Sequence, residues 1–248
     1  MNDTLRRALA DARLDEVSVS TALGVDPKTV HRWIMGRTPQ RRFRWDLADL
    51  VSRHEHDLWP ELTYGAGGNC PEIRGSYPHR AAVPWDVWRG LFSSAQREID
   101  ILVYSGLFLA EDVETQRTLA DRARSGVAVR ILLGDPSSRA VADRGTAEGI
   151  GDALAAKVRN AIVLYRPLLA VGGIEIRLHD TVLYNSIFRA DDELLVNPHV
   201  LGVAASYAPV LHLGRSDAGD LVSTYSESFD RVWQDAAPLE APRTYQDE

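Results

Sequence analysis

The run "TALGVDPKTVHRWIMGR", Thr21 to Arg37, leaves the backbone few alternatives. Val19, Ala22 and Leu23 lie at helical spacing and give a first helix an apolar face. Gly24 then lets the chain reverse tightly, and Val25 packs into the corner. Asp26 carries the short oxygen-bearing side chain that caps a helix start, and Pro27 takes the first helical position, where its missing N–H costs nothing. Val30, Trp33 and Ile34 turn to the buried side of this second helix, so Lys28, Thr29, His31 and Arg32 face outward. Gly36 ends it. The stretch "RRFRWDLADLVSRHEHDLWPEL" supplies a closing helix with Phe43, Leu47, Leu50 and Val51 on its inner face. A small all-helical domain over residues 1–60 is expected.

The chain as a whole carries a net charge of −7, yet Pro27 to Trp45 holds six basic residues (Lys28, Arg32, Arg37, Arg41, Arg42, Arg44) and no acidic one. A merely solvated face would mix the signs, so this one is built to meet an anion. "TALGVDPKTVHRWIMGR" resembles the helix-turn-helix of Cro/repressor (XRE) regulators, over roughly residues 4–60. The resemblance implies that the second helix enters the major groove of double-stranded DNA, with Lys28, Thr29 and Arg32 as base readers and His31 assisting. Arg37, Arg41, Arg42 and Arg44 would hold phosphates. A protein-interaction module of the same geometry is the competing reading, and the unbroken basic surface argues against it. His54 and His56 point to different sides of a helix and have no other ligand cluster nearby, so no metal is expected.

With 248 residues, 45% hydrophobic and 25% charged, the chain has the balance of a globular protein with one small and one large domain. A single cysteine, Cys70, excludes an internal disulfide framework, and no N-terminal apolar stretch reads as a signal peptide, so a cytoplasmic setting is expected. Apolar runs such as "AIVLY" are too short to span a bilayer. Residues 61–82, rich in Gly, Pro and Asn without an apolar period, read as a linker, and residues 239–248 as a tail.

Between them, residues 83–238 alternate helix and strand patterns, predicting an α/β domain with a mixed sheet. Trp85, Trp88, Leu91, Phe92 and Ala95 mark a helix, and "IDILVYSG" and "VAVRILLG" are strands flanking a helix from about Ala110 to Ser125. That unit is a right-handed crossover with parallel strands. A helical region to about Leu169, strands "IEIRLH", "YNSIFR" and "ELLVN", and a final helix through Leu221, Tyr225, Phe229 and Trp233 complete the pattern.

The hairpin "YNSIFRADDELLVN" has the spacing of a catalytic motif. Two strand-helix units, a helical excursion, this hairpin and a closing helix resemble the phospholipase D-like fold. That superfamily carries His-x-Lys-x4-Asp there, its His and Lys sharing a strand face so that both meet one phosphate. Here Tyr184, Ser186 and Asp191 stand at the three positions. A tyrosine hydroxyl is a poor nucleophile near neutrality and Ser186 brings no positive charge, so phosphohistidine catalysis is not available at these positions and no catalytic residue is assigned. His179 fails the spacing on its own register, since Ser186 rather than an acid lies seven residues on; His199 shares a strand face with Asn197.

Ser105, His179, Tyr184, Ser186, Asp191, Asn197 and His199 are the candidate ligand-binding set, a mix that orients a small polar effector. For an anionic ligand, Arg130, Arg166 or Arg189 would replace the missing lysine. No cofactor is implied. One motif copy, in a superfamily whose active sites pair two, implies a homodimer, which would suit a palindromic operator. The expected function is a transcriptional regulator with a ligand-sensing second domain. The alternative is a phosphodiesterase or nuclease targeted by the helix-turn-helix module.

Overall fold

A computed structural model describes residues 1–60, 70–216 and 219–240. The chain divides into two units, Met1–Pro71 with Asp217–Asp220, and Glu72–Ser216 with Leu221–Glu248.

In the first unit α1 (Asp3–Asp11), α2 (Glu16–Leu23), α3 (Pro27–Ile34), α4 (Arg41–Leu50) and α5 (Glu55–Leu58) follow in order. The helix starts are set by side-chain oxygens: Asn2, Asp15 and Asp26 accept from the backbone N–H groups of Leu5, Ser18 and Lys28, each at 2.8 Å. Gly24 ends α2 at φ 64°, the left-handed conformation the α2–α3 turn requires. Leu5, Leu9, Val19, Val30, Trp33, Leu47, Val51, Leu58 and Trp59 form the core. Ala22, expected inward, is exposed; Ser20 is buried instead, its hydroxyl donating to the Val17 carbonyl at 2.8 Å. At 3.6 residues per turn Ser20 and Ala22 flank the Val19–Leu23 stripe on opposite sides by equal angles, so the packing of α2 against its neighbours, and not the spacing, decides which is buried.

The second unit is an α/β layer built on an eight-stranded mixed sheet of order β1-β7-β6-β5-β2-β3-β4-β8. The strands are β1 (Ile73–Tyr77), β2 (Glu98–Leu102), β3 (Ala128–Gly134), β4 (Ile174–His179), β5 (Asn185–Ala190), β6 (Glu193–Pro198), β7 (Val210–Gly214) and β8 (Ala237–Pro238). β2, β3 and β4 run parallel, and β5, β6, β7 and β1 alternate antiparallel beyond β2. Helices α6 (Trp85–Ser94), α7 (Leu107–Ala110), α8 (Val113–Arg124), α9 (Arg139–Ala147), α10 (Ala153–Tyr165) and α11 (Leu221–Asp235) cover it. The β2–α8–β3 crossover and the β5–β6 hairpin match the sequence pattern.

Strand alternation sorts the side chains onto two faces. Phe188 of β5 meets Trp88 of α6 edge-on at 4.8 Å between ring centroids. Its neighbour Arg189 faces the opposite way and binds Asp100 of β2 at 3.0 Å. Arg130 of β3 also grips Asp100 at 2.7 Å, reaches Asp230 of α11 at 2.9 Å and stacks over the Phe229 ring. The fully buried Asp100 is thus compensated by two guanidiniums, as a buried charge must be.

The linker reading fails from Glu72 onward. Glu72 is buried, and its carboxylate accepts from the N–H groups of Leu221 and Val222 at 2.6 and 3.2 Å, satisfying the start of α11 from far away in sequence. Ile73–Tyr77 then pairs with β7 as an edge strand with a register shift before Gly75. Edge placement leaves it largely exposed, so it shows no apolar alternation. Residues 61–69 of the expected linker and 241–248 of the expected tail lie outside the described residues.

Candidate nucleic-acid interface and candidate polar cavity

On α3 the buried Val30 and Trp33 fix the rotation of the helix, leaving Lys28, His31 and Arg32 exposed and Thr29 partly so. His31 Nδ1 lies 2.9 Å from a carboxylate oxygen of Glu16 on α2, which ties the two helices across the turn. Arg37 is exposed beyond the helix, Arg42 lies over the Phe43 ring at 4.4 Å, and Arg41 over the Trp45 ring at 5.0 Å. Arg44 departs from expectation. It is 5% exposed, pairs with Glu55 and donates to the Pro39 carbonyl at 2.9 Å. The face of α4 that buries Leu47 and Val51 also carries position 44, so its guanidinium is spent on the fold and not offered to phosphate.

In the second unit the hairpin residues part company. Tyr184, ahead of β5, is 81% exposed. Asp191, in the β5–β6 turn at φ 52°, faces away: its carboxylate accepts from the backbone N–H groups of Gln96 (2.8 Å), Arg97 (2.8 Å) and Glu98 (3.0 Å). Partial burial opposes its charge, but those amides and the Arg97 guanidinium hold it below the ordinary carboxylate range. Asp191 therefore ties the turn to the start of β2 and leaves the candidate ligand set. Asn197 sits opposite Ser186 in the register, buried, with Nδ2 donating to the Ala208 and Pro209 carbonyls at 3.2 and 2.8 Å. His179 is buried at the end of β4 with Nε2 3.1 Å from the Val103 carbonyl; burial lowers its pKa. Both pin loops and neither lines the cavity described next.

Ser186, His199 and Ser105 do come together, around a polar cavity of about 80 Å³. His199, just past β6, is held on three sides. Its backbone N–H donates to the Tyr184 carbonyl at 2.8 Å, its ring stacks on Tyr104 at 5.7 Å, and Nδ1 lies 3.1 Å from the Leu183 carbonyl. A carbonyl only accepts, so Nδ1 carries the proton and Nε2 is left as an acceptor. Ser186 Oγ, 3.0 Å from Nε2, donates to it. Burial, together with the Arg144 and Arg80 charges, pushes His199 down to about 4, so at neutral pH the ring is uncharged.

The positive charge expected from Arg130, Arg166 or Arg189 comes instead from Arg80 and Lys157. Arg130 and Arg189 are committed to Asp100, and Arg166 does not line the cavity. Arg80 is half-buried over the Phe108 ring at 4.2 Å, with burial lowering its pKa to about 10, and has no ion-pair partner among the described residues. Arg144 is paired with Glu148 at 2.7 Å beside the cavity. Arg80 lies in the stretch read as linker and Lys157 on an otherwise ordinary helix, so nothing local in the sequence pointed to either. A larger, mainly apolar groove of about 650 Å³ runs along α8 and α10, lined by Val113, Ala120, Leu164 and Leu168 among others, and contains no hairpin residue. Among the described residues no His, Cys, Asp and Glu cluster is placed to hold a metal, and no helix is long and apolar enough to cross a membrane.

No known family profile and no curated protein matches the chain. Among solved structures it is similar to TrmBL2, an archaeal chromatin protein described as binding DNA in a novel mode, at 15% identity and a TM-score of 0.45 over 86% of this chain and 66% of that one. Nuc from Salmonella typhimurium, a phospholipase D family member, is similar at 14% identity and a TM-score of 0.40, over 67% of this chain and 95% of that one. Phosphatidylserine synthase of Haemophilus influenzae Rd KW20 is similar at 13% identity and a TM-score of 0.47; this chain, 99% covered, spans 55% of that protein's length.

Proposed function

We propose that the chain is a DNA-binding transcriptional regulator of the XRE helix-turn-helix type, whose phospholipase D-like second domain binds a small polar ligand and joins two copies into a homodimer. The observation that carries it is the capped α3 helix, anchored by Val30 and Trp33 and presenting Lys28, Thr29 and Arg32 outward within a segment free of acidic residues. Arg suits bidentate contact with guanine, and Lys and Thr suit single contacts. Arg37, Arg41 and Arg42 extend the same surface toward phosphate, whereas Arg44 serves the core. On the second domain, the reading rests on Ser105, Ser186 and His199 lining one cavity with an ion-unpaired Arg80 at its wall. Arg80 and Lys157 outnumber the single lining carboxylate, Glu148, which is itself paired with Arg144, so the wall favours a ligand with a negative charge.

A gel-shift selection against genomic fragments tests the first part. Binding that weakens in Arg32→Ala and Lys28→Ala supports the reading surface; unaltered binding in both would overturn it. For the second part, a copurifying small molecule lost in Arg80→Ala supports the sensor. A ligand response that survives Ser186→Leu would remove this cavity from the account.

A further inference from the structure

The Ser186–His199 pair has more structure than ligand binding requires. A hydroxyl donating to an imidazole nitrogen, whose other nitrogen is oriented by a fixed acceptor, is the arrangement that activates a serine for attack. All three parts are present: Ser186 Oγ to His199 Nε2 at 3.0 Å, His199 Nδ1 to the Leu183 carbonyl at 3.1 Å, and a ring clamped by Tyr104. The Tyr104 hydroxyl in turn accepts from the Leu183 N–H at 3.0 Å, so the orienting carbonyl sits on a braced residue. A purely structural Ser–His contact has no need of a cavity on its hydroxyl side. This one opens into the space lined by Arg80, Lys157, Glu148 and Ser105.

We propose that Ser186 is a nucleophile with His199 as its general base, and that the cavity carries out acyl transfer from small carboxylic esters. The inference stands apart from DNA reading. In the first step a bond forms between Ser186 Oγ and the ester carbonyl carbon while the Oγ proton passes to His199 Nε2. The carbonyl electron pair moves onto oxygen, where Arg80 and Lys157 supply positive charge. Collapse breaks the bond to the alkoxy group, which leaves with the proton from His199. Water then attacks the acyl-serine, giving its proton to His199; the acid departs, and Oγ recovers the proton. With Glu148 also in the lining, the cavity carries one net positive charge, which matches a single developing oxyanion. A phosphodiester would instead leave an anionic phosphoserine diester, whose negative charge repels the incoming water oxygen, so the uncharged carboxylic ester is the better match. The charged and titratable groups facing His199 are Tyr104 from the end of β2, Arg144 and Glu148 from α9 and the turn after it, Lys157 from α10, and Arg80. Burial, with the Arg144 and Arg80 charges, keeps the imidazole neutral to about pH 4, so the base form is present throughout the neutral range.

The test is covalent labelling of the full chain with a fluorophosphonate probe, followed by intact mass and peptide mapping. One adduct at Ser186 is expected, absent in Ser186→Ala and slowed about a hundredfold in His199→Gln, the scale of a lost general base. The wild-type labelling rate should stay flat from pH 8 to pH 5 and fall toward pH 4, a readout that does not depend on the variants folding. No wild-type adduct, or labelling that persists in Ser186→Ala, overturns the nucleophile. A rate that climbs with hydroxide through neutral pH overturns His199 as its base. Turnover of p-nitrophenyl acetate abolished in Ser186→Ala supports the substrate class, and hydrolysis of bis(p-nitrophenyl) phosphate alone overturns it.

Discussion

His199 makes the protein's stability depend on pH in a definite direction. Its folded value of about 4 lies below the ordinary 6.5, so between those limits the unfolded chain takes up a proton that the folded chain refuses. Stability from this group is complete above about pH 6.5 and drains away as pH falls toward 4. Between pH 7 and pH 4.5 the loss amounts to ~2 kcal/mol, and urea unfolding of His199→Gln should show a correspondingly shallower dependence. His179, lowered by burial as well, leaves part of the slope behind. Asp191 acts in a lower window, since its depressed pKa gives stability that is lost only below the ordinary carboxylate range. Replacing it by Ala strands three backbone N–H groups and should cost about 2 kcal/mol. Asp191→Asn, which tolerates the left-handed turn and keeps one carbonyl acceptor, should cost about half that; equal losses would count against the turn-tying role. These residues show what sequence spacing conveys. The step from Tyr184 to Asp191 correctly marked a hairpin, but it gave no indication that Asp191 points to β2 while Ser186 points to His199. A spacing reports strand face, and the hydrogen-bond partners come from elsewhere in the chain.

Among elements, the α2–α3 pair was legible almost residue by residue because its signals are local: a capping Asp26, Pro27, a left-handed Gly24 and apolar positions at helical spacing. Asp26→Ala should destabilise the first unit by about 1 kcal/mol through the lost cap, lowering its thermal midpoint without changing which DNA sequence it prefers. Arg44→Ala should behave as a core variant, costing about 2–3 kcal/mol by removing the guanidinium from the Glu55 and Asp220 carboxylates and the donor from the Pro39 carbonyl. Arg32→Ala should leave stability within about 0.5 kcal/mol of wild type. Thermal melts of the two variants separate the roles, and a stable Arg44→Ala chain would contradict the buried pair. β1 and β7 were not legible. β1 is an exposed edge held by pairing to a strand over a hundred residues away, and β7 has His212 interrupting a short apolar run. Glu72 escaped notice because the helix it caps begins at Leu221. Central strands, buried on both faces, announce themselves as apolar runs; edges and long-range caps do not.

At the scale of the whole molecule, a chain of net charge −7 carries an unbroken run of positive charge, Pro27 to Trp45, within its first unit. DNA affinity resting on Arg37, Arg41, Arg42 and the α3 side chains should fall steeply with salt, log K losing about 0.9 per phosphate contact for each tenfold rise. A homodimer would lay two α3 helices on half-sites a whole number of helical turns apart, and sedimentation of the free chain should then give twice the monomer mass. We propose that α3 is the element that reads DNA. The most direct test is fluorescence anisotropy of the full chain on a selected duplex at fixed salt, comparing wild type with Arg32→Ala and Lys28→Ala. Arg32→Ala should weaken binding by about 1–3 kcal/mol, roughly fivefold to 150-fold, and relax preference at one base position. Affinity and preference unchanged in both variants, or no DNA binding by the wild-type chain, would contradict it.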